Sequence, residues 1–573
     1  MGNRFKTTTS HPPRQWLREW KWLSRYTLHY KAEVLWYIFV GILGTVLSLA
    51  GSIISKNIID AVTGSDSGGI VVALLFYVLM QLSQIAVRAI SGRINAVVSI
   101  RVNQQITAQV YDKLLTTDWE SLSAYHSGDL LTRIEGDVNT VASGVLGWFP
   151  ELITRLLQFV GTLAVILYYD PTLALLALLS APATALMGRY VIKTMRQHNE
   201  TMRQLSSEMT IFNEESFRHI QLIKSFNRTD AYSDRHRRLQ QQYKDASLDY
   251  NRFTIRKNTV LSLVGTVVAL LCFVWSIYRL QNGFITFGVM TLFLQLSGSV
   301  SSAFSALAAL VPGAVATATA AGRIMTLMDL PTEEQGDTAA IDAFLTACGD
   351  QPLSVQATGV SYRYNDGKDV LTNADFRADG GEIVAIIGPS GEGKTTLLRL
   401  LLGIVSPKGG TLRVCAADGT AIPLSPATRK LFSYVPQGNT LFAGTVAENL
   451  RLLRPDATDE ELYEALRAAC AEDFIRRLPL GLDTPVREQS GFSEGQLQRL
   501  CIARALLSDA PILLMDECTS ALDLDTERQV LENVLRSRKG RTCIVTTHRT
   551  SVQEMSQRVY AIRGTCIEAI QPQ

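Results

Sequence analysis

Charge is scarce in these 573 residues: 19% are charged against 47% hydrophobic, and the mean hydropathy is positive. That balance leans toward a membrane protein, although an average over two unlike halves conceals both. No basic excess exists either. Lys and Arg number 55 against 53 Asp and Glu, a net charge of +2, so nucleic acid is not an expected partner. The eight cysteines form no CxxC pair, and no histidine cluster has metal-ligand spacing. They read as reduced thiols in a cytosolic setting. The chain does not open on a short apolar core with a small-residue cleavage site, so no cleaved leader is expected. Its length is too great for one domain and suits two or three.

Long apolar runs fill the first half. Val34–Ser55 is uncharged and long enough to cross a bilayer, at roughly 20 residues per crossing. Further spans are expected at Ser67–Val87, Asn139–Tyr169, Pro171–Gly188 and Asn258–Tyr278. Leu280–Gly322 carries no charge and exceeds one crossing, so the sixth helix is expected to run on beyond the membrane. Seven Lys/Arg precede Glu33 and thirteen lie between Val191 and Lys257, whereas the connections near Ser65, Asp170 and Gln281 hold only Lys56 and Arg279. That asymmetry puts both termini in the cytosol and Ser65 outside. Residues 14–31 mix Trp and Tyr with basic residues and read as an amphipathic helix in the inner interface. Residues 88–138 and 190–257 are polar and poor in Gly and Pro. Folded as a helix down and a helix back, about 25 residues each way would reach about 37 Å. The reversals are expected at Ser123–Gly128, with Ser127 as an N-cap, and near Glu214–Leu222.

The second half changes character after the linker at Leu330–Asp337, where short β-rich runs alternate with helical patterns. Glu382–Ile387 reads as a buried strand leading into Gly388-Pro389-Ser390-Gly391-Glu392-Gly393-Lys394-Thr395 and a helix from Thr396 to Leu402. This is the P-loop pattern in its strand–loop–helix context. Gly388, Ser390, Gly391, Gly393 and Thr396 frame a loop whose backbone N–H groups cradle phosphates. Lys394 neutralises β/γ oxygens, and Thr395 offers a hydroxyl to Mg²⁺. The apolar strand Pro511–Met515 ends in Asp516 and Glu517. Asp516 is expected to hold Mg²⁺ through water and Glu517 to deprotonate the attacking water.

With these motifs the whole chain resembles the exporter-type ABC transporters, the group of the lipid A flippase and P-glycoprotein. Five further motifs match in the order of that family. By that resemblance Tyr364 stacks on adenine and Gln437 contacts Mg²⁺ and the γ-phosphate. Ser493, Gly495 and Gln496 belong to the signature that faces ATP held by a partner. Asp523 closes the D-loop Ser520–Asp523, and His548 is the switch histidine at the γ-phosphate. The resemblance also makes the two reversals coupling helices. The signature departs from the usual pattern, with Glu494 where glycine is usual, and Arg487–Phe492 before it is one residue short.

The fold class expected is thus an α-helical six-span membrane domain plus an α/β P-loop ATPase, in the type IV exporter architecture. The parts are an interfacial helix at 1–32, a membrane domain at 33–328, a linker at 329–350 and a nucleotide-binding domain at 351–573. The cofactors are ATP and Mg²⁺. The protein is expected in the bacterial cytoplasmic membrane, as a multi-pass protein that dimerises with a second half-transporter. Because Ser493 and Gly495 survive, a homodimer is expected over a heterodimer. Glu151 and Arg155, four apart on one face, are candidates for the substrate path together with Gln81, Gln84, Gln158 and Gln295. A salt bridge internal to the helix is the plainer reading of that pair. Peptides, lipids and amphipathic small molecules all remain open as substrates, and no fused peptidase is expected. Export is expected; import by the same fold, or an ATP-gated channel or regulator, are the alternatives.

Overall fold

The computed structural model describes residues 13–64, 70–349, 351–365, 367–438, 440–486, 491–537 and 541–570. Ser65 and Arg487–Ser490, both singled out above, lie outside them. The chain divides into two compact units. One comprises Met1–Tyr111 and Gly128–Met328, the other Asp112–Ser127 and Asp329–Gln573.

Among the described residues the regular structure of the first unit is all helical: α1 (Pro13–His29), α2 (Lys31–Thr63), α3 (Ile70–Leu115, which ends in the second unit), and, past the short α4 (Trp119–Leu122) of the second unit, α5 (Ser127–Thr132). A π-turn at Arg133–Asp137 leads into α6 (Val138–Gly147), α7 (Phe149–Tyr169), α8 (Pro171–Arg218), α9 (Ile220–Ser225), α10 (Thr229–Gln281) and α11 (Phe287–Met328). Among the described residues, stretches in α2, α3 and 127–169 are long and apolar enough to cross a membrane. Leu75, Phe76, Leu79 and Leu82 on α3 and Leu270, Leu271 and Val274 on α10 are exposed, as a lipid-facing surface requires. Helices α3, α8 and α10 hold 46, 48 and 53 residues. At 1.5 Å per residue they run about 70–80 Å, more than twice the hydrocarbon thickness of about 30 Å.

Local chemistry sets the breaks. Pro150, at the second position of α7, separates it from α6 at Trp148. Asp170 caps α8 by accepting from Thr172 N at 2.8 Å and Thr172 Oγ1 at 2.7 Å, with Pro171 at the first helical position. Arg279 donates to the same carboxylate at 2.7 and 2.9 Å, which ties the α7–α8 turn to the end of α10. Leu173, Cys272, Leu292, Phe293 and Leu296 pack between these helices.

The connection expected near Gln281 forms: α10 ends at Gln281, Gly283 turns the chain at φ 69°, and α11 runs on as one helix from Phe287 to Met328. Asp60 caps the start of α11, accepting from Gly288 N at 2.8 Å and Thr286 Oγ1 at 3.0 Å. Ser127 is the first helical residue of α5 rather than a cap. Helix α1 forms where the amphipathic pattern placed it, yet protein covers one of its faces. Leu23 and Tyr26 are buried, Trp20 packs on Trp148 at 4.2 Å between centroids, and Tyr26 OH donates to Gln109 Oε1 at 2.7 Å.

The second unit holds α12 (Thr338–Cys348), β1 (Ser354–Arg363), β2 (Asp369–Ala378), β3 (Ile383–Ile387), α13 (Lys394–Leu401), β4 (Gly409–Cys415), β5 (Ala421–Pro423) and β6 (Phe432–Val435). After them come β7 (Gly444–Thr445), α14 (Val446–Arg451), α15 (Asp459–Ala468), α16 (Glu472–Arg476), β8 (Pro485–Val486), α17 (Glu494–Leu507) and β9 (Ile512–Asp516). It closes with α18 (Leu524–Ser537), β10 (Thr542–Thr546), α19 (Thr550–Met555), β11 (Arg558–Arg563) and β12 (Cys566–Ile570). A six-stranded sheet runs β12-β11-β3-β10-β9-β6, parallel except for β12, and an antiparallel sheet runs β2-β1-β4-β5. Strands β3, β9 and β10 are neighbours, so their carboxyl ends open side by side, where doubly wound sheets bind ligands. The expected linker is partly folded. Ile341, Phe344 and Cys348 of α12 sit in the cassette core because Asp337 caps the helix and turns its apolar face inward.

Candidate nucleotide site

Strand β3 is buried up to Ile386, and the chain then swings through the glycine loop into α13. Gly393 has φ 107°, and a Cβ there would stand 2.6 Å from Val370 Cγ1. Only glycine fits this last step of the loop. Helix α13 begins with Lys394 itself, two residues before the expected start. The lysine side chain is 5% exposed and its ammonium folds back into the loop. It donates to Gly388 O at 2.7 Å and Pro389 O at 3.3 Å. Ser390 and Gly391 are exposed at the mouth, and Thr395 is half-buried beside Lys394.

The two carboxylates at the end of β9 differ sharply. Asp516 is 1% exposed. Its Oδ1 accepts from Thr546 Oγ1 at 2.6 Å and its Oδ2 from Tyr434 OH at 3.5 Å. Burial, and then the Asp516 charge, push the Tyr434 phenol well above its usual range. Glu517 leaves the strand in a left-handed conformation, φ 46°. Its N–H donates to Thr546 O at 3.2 Å and Thr546 Oγ1 at 3.0 Å. That backbone turn lets Glu517 share the site with Asp516 although successive strand residues face opposite ways. Gln437 Nε2 donates to Glu517 Oε2 at 2.8 Å. His548 Nε2 lies 2.9 Å from Glu517 Oε1 and 2.9 Å from Lys394 Nζ, and Lys394 Nζ lies 3.2 Å from Glu517 Oε1. Lys394, Gln437, Glu517 and His548 therefore form one network, to which Thr546 attaches Asp516.

Tyr364 stands to one side. Its ring packs edge-on against Tyr362 at 5.0 Å, and its hydroxyl pairs with Thr396 Oγ1 at 3.0 Å and accepts from Arg399 Nη1 at 3.1 Å.

The signature residues form a separate surface. Ser493 caps α17, accepting from Gln496 N at 3.3 Å while its own N–H donates to Gln496 Oε1 at 2.8 Å. A Cβ on Gly495 would come within 2.8 Å of Ala521 O, so the signature helix lies tight on the D-loop. Glu494 is exposed. Asp523 caps α18 through Thr526 N at 2.9 Å, a bond that holds its carboxyl below the usual range. Ser493 and Gln496 bond to each other, whereas the D-loop meets the Lys394–Glu517 network through the backbone, where Ser520 N donates to Glu517 O at 3.3 Å.

Several residues that hold these loops escaped the sequence reading. Gln498 donates to Ser520 Oγ at 3.1 Å and accepts from Ala521 N at 3.0 Å. Arg549 donates to Ser520 O at 2.7 Å and to the buried Glu527 at 3.1 Å. Their positions, next to His548 and inside the signature helix, were the available signal.

In the membrane-type unit the Glu151–Arg155 pair closes on itself. Arg155 donates to Glu151 Oε1 at 2.7 Å and to Gln158 Oε1 at 3.1 Å, and Tyr37 OH donates to Glu151 Oε2 at 3.2 Å. Gln84 is spent on Leu47 O at 3.3 Å and Gln81 donates to Tyr77 OH at 2.9 Å, while Gln295 is exposed.

The donor chemistry fits a Mg²⁺–nucleotide. A lysine ammonium at the centre of a glycine loop suits a polyphosphate, and hydroxyl, amide and carboxylate oxygens suit a hard dication. Comparisons with known proteins agree. Residues 34–304 match the ABC transporter transmembrane region and residues 371–520 match the ABC transporter family. The lipid A-core flippase of Chromobacterium violaceum is 31% identical over 495 residues, 82% of this chain and 81% of its own length. The chain is an ABC transporter. It is an integral membrane protein that hydrolyses ATP. A Bacillus subtilis relative, described as an uncharacterized ABC transporter ATP-binding protein, is 28% identical over 96% of this chain and 90% of its own. A multidrug resistance ABC transporter of Lactococcus lactis is 26% identical over 92% and 88%. In fold the transporter is of the exporter type: a bacterial Atm1-family exporter with ATP bound superposes with a TM-score of 0.78 over 95% of both chains at 23% identity.

Proposed function

We propose that two copies of this chain form an exporter that moves a lipid, peptide or amphipathic small molecule out of a bacterial cytoplasm by ATP-driven alternating access. The domains are a membrane domain over 33–328 and a cassette over 351–573, with both termini cytosolic. The observation that carries this reading is the division of the site: the Lys394–Gln437–Glu517–His548 network is complete, but the Ser493–Gln496 surface stands apart from it. A second copy would supply the missing signature. The apolar tip of the second reversal supports it further, since Phe217, Ile220, Leu222 and Phe226 are all exposed in the single chain.

In the proposed cycle the triphosphate occupies the glycine loop and takes over the Lys394 ammonium from Gly388 O and Glu517. The loop N–H groups, Ser390 and Thr396 hold the phosphates, and Tyr364 stacks on the base. Freed from Lys394, Glu517 accepts a proton from the attacking water as its oxygen bonds to the γ-phosphorus and the bond to the β–γ bridging oxygen breaks. Gln437 orients that water, and His548 donates to the γ-phosphate. The partner's signature, equivalent to Ser493, Gly495 and Gln496, closes over the phosphates, and Asp523 sets the D-loop between the copies. Mg²⁺, held by Thr395, Gln437 and, through water, Asp516, would neutralise phosphate charge when bound.

The chain purified alone and placed in liposomes tests the proposal, with ATPase stimulation and transport followed in both directions. A dimer with outward, ATP-dependent movement is expected. Inward movement would favour an importer, ion conductance without stoichiometric turnover a channel, and an inactive monomer an obligate heterodimer. A cysteine engineered at 65 should label from outside intact cells, and one at 335 should not.

A further inference from the structure

Residues 112–127 fold with the cassette although they lie between two stretches of the membrane-type unit. Thr117 bridges to Thr332, and Asp118 N donates to Pro331 O at 3.0 Å. The four-residue α4 is thereby pinned beside the hairpin turn between β1 and β2 and beside α13. From these contacts we infer that Trp119 and Glu120 are positioning residues for nucleotide-base recognition, acting through Tyr364. The inference rests on the reading of Tyr364 as the base-stacking aromatic.

Two routes converge on that tyrosine. Glu120, whose side chain is only 13% exposed, accepts from Asn365 N at 2.8 Å through Oε1 and faces Lys408 Nζ at 3.6 Å through Oε2. Asn365 directly follows Tyr364, so this bond fixes the backbone that carries the ring. The turn closes on itself from the other side, with Gly367 N donating to Tyr364 O at 2.9 Å. The second route is a cation over an aromatic face. The Arg399 guanidinium stands 5.7 Å from the Trp119 ring centroid, and its Nη1 donates to Tyr364 OH at 3.1 Å. Thr396, one turn earlier on the same face of α13, pairs with the same hydroxyl at 3.0 Å. Helix α13 starts at Lys394. The phosphate end and the base end of the candidate site thus share one short helix, and α4 rests on the base end only.

A further observation marks this spot as unfinished. The Tyr362 hydroxyl is buried, 1% exposed, and among the described residues it has no hydrogen-bond partner. Burial and then the nearby Glu120 charge hold its phenol far above the usual range. A buried donor left unpaired is costly. Its neighbours here are Tyr364 and α4.

The test uses the full chain in nanodiscs and two probes, ATP and inorganic tripolyphosphate, which carries the charge without the base. Glu120→Ala and Trp119→Leu should each weaken ATP binding about tenfold and leave tripolyphosphate binding within about twofold. Glu120→Gln keeps an oxygen for Asn365 N–H and should restore ATP binding. Equal losses for both probes would mean a loosened cassette and would overturn the inference. Tyr364→Ala separates the underlying reading. If it fails to discriminate the probes, Tyr364 is not the base contact and both readings fall. If it discriminates and the Glu120 and Trp119 variants do not, only the positioning role is lost.

Discussion

The Lys394 ammonium and the Glu517 carboxylate lie 3.2 Å apart, with His548 within 2.9 Å of both. In this arrangement the two charges neutralise each other. On the proposed cycle, nucleotide breaks that pair before Lys394 meets phosphate and Glu517 meets water. Replacing Glu517 with Gln therefore has two opposite effects. Turnover should fall about 10²–10⁴-fold, the usual cost of losing a general base. ATP affinity should rise, because Lys394 no longer has an anionic competitor. Equilibrium binding and phosphate release measured on one preparation check both, and wild-type turnover would remove Glu517 from its role. Lys394→Ala should instead lose nucleotide affinity itself, about tenfold or more, since a charge-assisted bond is gone.

Thr546 serves both acidic residues at once. It donates to Asp516 at 2.6 Å and accepts from Glu517 N at 3.0 Å. Thr546→Val keeps the shape and removes the hydroxyl. Turnover should drop about tenfold at saturating ATP, and the Mg²⁺ concentration for half-maximal rate should rise. An unchanged Mg²⁺ titration would show that the hydroxyl does not set the Asp516 carboxylate.

Arg155 is engaged by Glu151 and Gln158 within its own helix. Arg155→Ala should cost stability, about 1 kcal/mol given that Arg155 is 40% exposed and partly screened, by leaving Glu151 short of a partner. Basal and substrate-stimulated ATPase should fall together with thermal stability. Selective loss of stimulation in a protein of normal melting temperature would instead put Arg155 on the substrate path.

Glu494 is exposed at the first position of α17, where the helix dipole favours a carboxylate. Glu494→Gly should change turnover by less than about threefold and slightly lower cassette stability, as glycine disfavours the helix by about 1 kcal/mol. A large rise in turnover would mean that the carboxylate restrains the site.

Most of the architecture could be read from residues in line. Hydropathy marks a long helix well because a span must satisfy its own backbone, and the P-loop motif fell between its strand and helix because glycines and lysine have few other reasons to stand in that order. What could not be read depended on distant pairs. The start of α11 is capped by Asp60, more than 220 residues away along the chain, within a stretch without a charge. The break at Trp148 was signalled by Pro150 but masked by continuous hydropathy. The structure brings Lys394, Gln437, Glu517 and His548 together, a linkage hidden in the sequence. Nothing in an Asp-Glu pair shows that Glu517 has a left-handed backbone, and nothing in Trp119-Glu120 shows that Glu120 meets Asn365, 245 residues later, or that Trp119 meets Arg399.

The backbone of Glu517 has a consequence for how such chains diverge. A non-glycine residue at φ 46° carries a steric penalty of about 1 kcal/mol or more, so glycine at 517 would relax the strand end while silencing hydrolysis. A copy that lost the carboxylate would trade that relief against a buried Lys394 left without its anionic partner. On the proposed role of Glu517, a demand for turnover favours the carboxylate, and a pair in which one copy hydrolyses for both would lift that demand on the other.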